Sequence, residues 1–388
     1  MQPGKTTFKT PLLAAGLGLA LAAGLAAPAL AQSLNYSVGL GPDSAPTRAA
    51  HDYAASVAEA SGGAMDINVF SLELLSLAEM SPGLRDGLTD IGYVVLSYFT
   101  AEYAHSNLLA ELSMIQTLLP ATGKESLAFS GAMAEYITTG CEECLAEFKA
   151  QNQVYLGSAV TPPYMLLCNK PISTVADLRG KRLRIATTTH KRLAEHFGAV
   201  GVQIPVAETY EAISQGIVDC TMSAAPELTN FRLIEVVSNI TEGLPGNVFG
   251  ANGSGNINLD VWNALTVEQR ELMLREAAGL TAGITWNYHA AGETDIANAL
   301  ALGKTVLSPD AELAGQARSF VESEVGVVAD NFRTNYGVAR ADEMQQEFAL
   351  VLERWAGLVA DVDNADDLAE IYWSQIFSKL DPASYGVN

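Results

Sequence analysis

The chain has 388 residues, with 22 Lys and Arg against 44 Asp and Glu, 49% hydrophobic residues, 5 His and 4 Cys. That length predicts two or three domain-sized units with real apolar cores, which excludes a disordered chain and a small disulfide scaffold. A net charge of −22 argues against nucleic acid or an anionic membrane surface as partner, because both require a basic footprint.

At the amino terminus Lys5 and Lys9 precede an apolar run from Leu12 to Leu25, Pro28 breaks it, and Ala29-Leu30-Ala31 offers the small residues an export peptidase cuts after. This order predicts a cleaved secretory signal over 1–31, with an uncleaved anchor as the alternative; the run is short for a membrane span. No Cys precedes Cys141, which excludes a lipid anchor at the cleavage site. No later stretch reaches the roughly 18 apolar residues of a spanning helix, so the exported chain is expected not to be membrane-embedded.

Asn35–Gly41 reads as a strand, followed by the turn Pro42-Asp43-Ser44 and a helix-period segment, Ala45–Ser61. Met65–Phe70 alternates like a strand. Ser81-Pro82 supplies a cap and a first-turn proline for a short helix ending near Gly87, and Ile91–Leu96 is a continuous apolar run suited to a buried strand. The sum is β-α-β-α-β, half of a doubly wound sheet. A helical stretch, Gly123–Ala150, and a crossing segment, Val154–Ile172, come next.

The β-α-β-α-β order then recurs. Arg182–Ala186 is strand-like, Thr189 caps a helix ending at Gly198, Val202–Pro205 is a strand, Glu208–Gln215 a helix and Ile217–Met222 a strand. Both units close alike, with a helix-stopping glycine three residues before an aspartate: Gly87 and Asp90, then Gly216 and Asp219. Two similar α/β lobes are the economical reading. Val248–Asp260 is Gly- and Asn-rich but strand-like. Thr266 with Gln269 forms a capping box for a helix running to Leu302, about 55 Å long and able to lie across both lobes. From Asp310 onward the pattern is helical.

Four cysteines allow three pairings in an exported protein. Cys141 and Cys144 form a C-x-x-C at a helix start, but Glu142 and Glu143 between them raise thiol pKa values, so a local disulfide or a surface dithiol fits better than redox catalysis. Cys168 and Cys220 lie on neighbouring strands of the second lobe; a bridge there closes 52 residues and stabilises by about 4 kcal/mol on the chain-entropy model.

Catalytic signatures fail. There is no H-E-x-x-H, and Ser254 misses G-x-S-x-G. Gly303-Lys304-Thr305 has Asn298 where a phosphate loop begins with Gly, and Gly39-Leu40-Gly41 lacks the third small residue of a dinucleotide turn. Nothing requires a cofactor or a metal ion.

One local charge anomaly remains. Arg179, Lys181, Arg182, Arg184, Lys191 and Arg192 crowd into fourteen positions. Most read as a solvated edge, but alternation puts Leu183 and Ile185 on one strand face and Arg184 on the other, near the carboxyl end where open α/β sheets bind ligands. A guanidinium there serves either as a bidentate anchor for a carboxylate or as half of an internal salt bridge.

At this point the segment Asp177–Ile185 resembles the "DLKGKKIRV" run of DctP-type solute-binding proteins of tripartite ATP-independent periplasmic (TRAP) transporters. Gly198-Ala199 and Pro205–Asp219 are similar to their "GA-x-PVPMPFSEVYEALQTGVVDG", Ile234–Val237 with Ile240-Thr241 to "YEV-x-KYLT", and Trp262–Arg270 to "W-x-x-L-x-x-E-Q-R". The resemblance implies an α/β, two-lobed periplasmic binding protein fold that closes around a small organic acid and delivers it to a TRAP membrane permease. It implies lobe I from 32–155 and roughly 248–290, lobe II from 156–247 with part of the C-terminal helices, the helix 266–302 across both, and a C-terminal helical segment, 303–388. Arg184 falls on the family's carboxylate-binding arginine.

Two departures bear on the solute. The crossing strand, Pro162–Leu167, holds no second arginine, and the Asn of "VDGQENP" is replaced near Ser223. Both point to a monocarboxylate with an apolar or aromatic body. The other wall candidates are Tyr93, Ser97, Tyr164, Met222, Ser223, Phe249 and Asn252. The rival readings are an exported C-x-x-C oxidoreductase or other enzyme, and a sensor module serving a signalling receptor.

Overall fold

The computed structural model describes residues 1–4, 6, 7, 32–244 and 247–387. The apolar run and cleavage site expected over 12–31 lie outside them. In chain order the strands are β1 (Gln32–Ser37), β2 (Met65–Phe70), β3 (Ile91–Val95), β4 (Gln153–Val154), β5 (Met165–Cys168), β6 (Arg182–Ile185), β7 (Val200–Gln203), β8 (Cys220–Ser223), β9 (Asn239–Thr241), β10 (Asn252–Asn258) and β11 (Thr305–Leu307).

They form two sheets, β2-β1-β3-β10-β4 and β11-β9-β5-β8-β6-β7. Each is built on the same parallel triplet. β1 lies between β2 and β3, β6 lies between β7 and β8, and the next strand inward is antiparallel in both, β10 beside β3 and β5 beside β8. The glycine and aspartate repeat has a shared cause. Gly87 and Gly216 take φ of 76° and 67°, a left-handed turn that favours glycine, and stop their helices. Asp90 and Asp219 then accept a hydrogen bond from the backbone N–H of the central strand, Asn35 at 2.7 Å and Arg182 at 2.9 Å.

Local capping sets the helix starts, and here the structure departs from the sequence reading. The helix after β2 spans Met80–Arg85 with Glu79 at its cap position, since the Glu79 carboxylate turns back to accept from Ser76 N–H at 3.1 Å. Ser81 lies inside it and hydrogen-bonds the Tyr103 hydroxyl at 2.7 Å. The helix after β6 starts at Thr188, with Thr187 accepting from His190 N–H at 3.2 Å, so Thr187 rather than Thr189 is its cap. The stretch expected as one helical block divides into Glu125–Thr139 and Glu142–Ala150, broken at Gly140-Cys141. The strand expected over Ile217–Met222 begins only at Cys220, after the Gly216 turn.

Two segments cross between the sheets as an antiparallel ribbon: Ala159, Thr161 and Tyr164 donate N–H bonds to the carbonyls of Asn252, Phe249 and Asn247 at 3.1, 3.1 and 2.7 Å. The helix Val267–Ala301 opens with the expected capping box of Thr266 and Gln269. Leu274, Ala277 and Ala278 bury in the larger core, while Ala299 buries in the smaller core beneath the second sheet beside Leu167 and Ile240, so this one helix ties both units together. The segment after it is not purely helical, as β11 adds a parallel edge to β9. Three helices follow, Ala311–Tyr336, Ala341–Leu358 and Ala365–Gln375, and Trp355 packs so closely on Gly131 that a methyl group there would enter its ring. Both disulfides form: Cys168 and Cys220 face each other across β5 and β8, and Cys141 pairs with Cys144. The latter pair is buried, at 2% and 0% exposure, so it is no surface dithiol.

Candidate functional site

β6 carries the side chain on which the site turns. Leu183 and Ile185 pack into the core, and alternation sends Arg184 to the opposite face, where it is 2% exposed. The surrounding basic residues resolve differently. Arg179 and Lys191 are exposed, Arg182 pairs with Asp219 at 3.2 Å, and Arg192 pairs with Glu324 and lies 3.6 Å from Glu111. Arg184 forms no ion pair among the described residues. Its Nε donates to the Ile204 carbonyl at 2.9 Å, and its Nη1 is buried with no hydrogen-bond partner. A buried guanidinium N–H without a partner is costly, so its presence marks a place where an acceptor belongs.

Arg184 lines a cavity between the two units. The first unit contributes Leu40, Leu77, Tyr93, Val95 and Tyr98; the second contributes Arg184, Ala186, Val206, Glu227 and Phe231. Thr161, Tyr164, Phe249 and Asn252 enter from the crossing ribbon, and Tyr288 from the long helix. Aromatic stacking stiffens one wall: the His190 ring lies 5.4 Å from Tyr164 and Tyr164 lies 5.6 Å from Phe249, both nearly parallel. Burial raises the Tyr98 and Tyr164 phenols, and the positive charge of Arg184 offsets part of that rise.

Five of the residues singled out from sequence therefore meet here: Tyr93, Tyr164, Arg184, Phe249 and Asn252. Asn252 also has a structural duty, donating to the Ala159 carbonyl at 3.2 Å. Ser97, Met222 and Ser223 are not among the lining residues. Met222 shares a strand face with the bridged Cys220 and is part of the core, so the pleat turns it away. Ser97 and Ser223 are buried, and neither hydroxyl has a partner. Neither disulfide lines the cavity.

The sequence reading missed Tyr98, Glu227 and Tyr288. Tyr98 sits two residues beyond the expected strand end, and Tyr288 is one of several aromatic residues on a helix whose facing only the fold decides. Glu227 had a signal: it follows β8 by a few residues, at the carboxyl end of a sheet strand. Burial pushes its carboxyl up to about 7, against the opposing pull of Asn230, Arg184 and Tyr288.

The two units also touch through polar contacts. Glu111, at the end of the helix Ala104–Glu111, accepts from the backbone N–H groups of Thr188 and Thr189 at 3.2 and 3.0 Å, bridging to the start of the helix after β6. Tyr98 accepts from Val206 N–H at 2.8 Å.

An arginine with no acidic partner among the described residues, enclosed between two sheets of like topology, fits a receptor that closes on an anion. The model of the bacterial extracellular solute-binding proteins, family 7 (DctP), matches residues 37–323. The chain belongs to that family. A relative from Albidiferax ferrireducens described as a solute-binding protein is 21% identical over 232 residues, covering 60% of this chain and 65% of that protein's length. Among solved structures, the Bordetella pertussis extracytoplasmic solute receptor DctP7, which binds pyroglutamic acid, superposes with a TM-score of 0.66 at 18% identity, covering 83% of this chain and all of the other (100%). A TRAP solute-binding protein from Rhodoferax ferrireducens in complex with copurified benzoate gives a TM-score of 0.70 at 20% identity, covering 84% and 99%. The chain shares the two-lobed α/β fold of these two receptor structures. No helix of the described residues is long and apolar enough to cross a membrane, and no group of three or more candidate metal ligands occurs among them.

Proposed function

We propose that this family 7 protein is the periplasmic receptor of a TRAP transporter, exported by its amino-terminal segment, which takes a small organic acid into the cavity and passes it to a membrane permease for uptake driven by an ion gradient. The observation that carries the reading is Arg184: 2% exposed, unpaired by any acid within ion-pair distance among the described residues, with Nη1 unsatisfied in a cavity walled by aromatic rings. A carboxylate meets that nitrogen with a charge-assisted hydrogen bond, and closure of the two lobes removes both charges from water. Tyr93, Tyr164 and Phe249 offer flat apolar surface to the body of the solute. With one arginine among the described residues of the cavity wall, a compact monocarboxylate with a largely apolar or cyclic body fits best. Pyroglutamate and benzoate, the ligands of the two similar structures, have this form.

The match to a solute-binding family supports a carrier role, and the C-x-x-C sulfurs are buried and bonded to each other. The test is thermal unfolding against a panel of small organic acids. A ligand at 100 times its dissociation constant adds about 2.7 kcal/mol and raises the midpoint. Arg184→Ala is expected to keep the unliganded midpoint within a few degrees and to lose every ligand-induced rise; an unchanged rise in that variant refutes the anchor.

A further inference from the structure

Glu227 is the only carboxyl among the described residues lining the cavity, and anchoring a plain carboxylate does not need it. It opens the short helix Glu227–Asn230 directly after β8 and is 5% exposed. Its Oε2 accepts from the Asn230 amide at 3.2 Å, and the Tyr288 hydroxyl interacts with it from the long helix. Arg184 on β6, Tyr93 on β3, Tyr98 and Tyr164 are within electrostatic reach of it as well, and so is Asp295, which accepts from the Thr229 hydroxyl. An ionised carboxyl has about four acceptor positions, so these partners leave acceptor capacity unused in a residue that lines the cavity.

The charges make this consequential. Arg184 is the cation that offsets Glu227. A solute carboxylate that engages Arg184 takes up that positive charge and sets a second negative charge in the same enclosed space, where like charges repel strongly. The conflict is relieved when the solute itself brings a donor or a cation to Glu227. We infer that Glu227 is a second recognition group, and that the solute selected by this cavity carries, besides its carboxylate, a hydrogen-bond donor (a hydroxyl, an N–H or an ammonium) that Glu227 accepts. The inference rests on the reading of Arg184 as the carboxylate anchor. An acid without such a donor binds only as Glu227 takes up a proton, so its affinity falls as the pH rises above about 7, while that of a donor-bearing acid does not.

Calorimetric titration of the purified protein at pH 8.5 tests this with solutes of matched frame. Cyclopentanecarboxylate, pyroglutamate and proline share a five-membered ring and differ in having no donor, a neutral N–H and an ammonium; benzoate and 4-hydroxybenzoate place the donor far from the carboxylate. The expected result, in at least one of the two series, is binding about 10- to 150-fold tighter for the donor-bearing acid, an advantage that disappears in Glu227→Met. Glu227→Gln, which accepts a hydrogen bond but carries no charge, retains part of the advantage of a neutral donor and none of that of an ammonium. Equal affinities within both series, or an advantage that survives in Glu227→Met, overturn the inference while leaving the Arg184 anchor standing. Binding of none of the five acids, or binding that Arg184→Ala leaves intact, overturns the anchor and this inference with it.

Discussion

The two parallel triplets pair their strands in corresponding registers, and what differs between them is chemistry. Tyr36 and Ser37 of β1 face Ile91 and Gly92 of β3, as Leu183 and Arg184 of β6 face Cys220 and Thr221 of β8. The position of Arg184 in the second unit is thus the position of Ser37 in the first. Likewise the pair Cys168 and Cys220, covalently joined, corresponds to Ile257 and Ile91, joined by packing alone. One frame supplies two strands at equal geometry, and only the second is armed with a cation and a crosslink. The anchoring charge therefore sits on the stiffened half, and the first half meets it with Tyr93 and Tyr98, a largely apolar cover that pairs with no ligand charge of its own.

The largest effect expected from breaking this asymmetry is on binding. Arg184→Ala removes one partner of a buried ionic contact, which costs about 3–5 kcal/mol, or roughly 200- to 5,000-fold in affinity by calorimetry. Ser37→Ala, at the matching position, is expected to leave affinity within about threefold, because the Ser37 hydroxyl has no partner to lose. Equal losses in the two variants would end the distinction.

The crosslink comes next. Replacing Cys168 and Cys220 together by serine removes a 52-residue loop closure and is expected to cost about 4 kcal/mol in denaturant unfolding. Ile91→Ala, in the uncrosslinked counterpart, costs about 2–5 kcal/mol through the cavity it leaves. A stabilised or unchanged serine variant would show that the bond adds nothing to this half.

The corner aspartate of the second half gives a smaller, pH-dependent effect. Burial pushes the Asp219 carboxyl up, but the hydrogen bonds and charge of Arg182 and the charge of Lys181 outweigh it and hold the group below its ordinary 3.8. A folded pKa below the unfolded one gives stability that is present above the unfolded value and lost as pH falls through the folded value. Asp219→Asn is therefore expected to lower stability at neutral pH and to narrow the gap to the parent protein below about pH 4. A gap independent of pH would contradict this.

Smaller still is the clasp between the halves. Glu111→Gln weakens its hold on Thr188, Thr189 and Arg192, and is expected to reduce solute affinity by about tenfold or less through a less populated closed form. Small-angle scattering should then show a larger unliganded radius; an unchanged radius and affinity would remove the clasp from the account.

How far the sequence could foretell this is clearest at particular residues. The repeat of glycine and aspartate at 87 and 90, then 216 and 219, was legible because both residue types answer a local demand: a left-handed turn and a backbone N–H needing an acceptor. Arg184 was legible because strand alternation separates it from Leu183 and Ile185. The Thr266 cap and the long helix followed from spacing alone. Glu227 and Tyr288 were not found, since each reaches the cavity only when the second sheet and the long helix are brought together, a long-range event with no local period. Met222 failed as a wall residue for a related reason: the disulfide partner Cys220 fixes which face of β8 looks into the core, and Met222 shares that face. β11 escaped notice because a three-residue edge strand carries too little pattern to register.

The central claim is that Arg184 waits for a carboxylate. A crystal structure of the protein with its solute tests it most directly: the account predicts a carboxylate oxygen within about 2.7–2.9 Å of Arg184 Nη1, enclosed by Tyr93, Tyr164 and Phe249. A solute whose carboxylate lies elsewhere, with Arg184 instead closed onto Glu227, would contradict it.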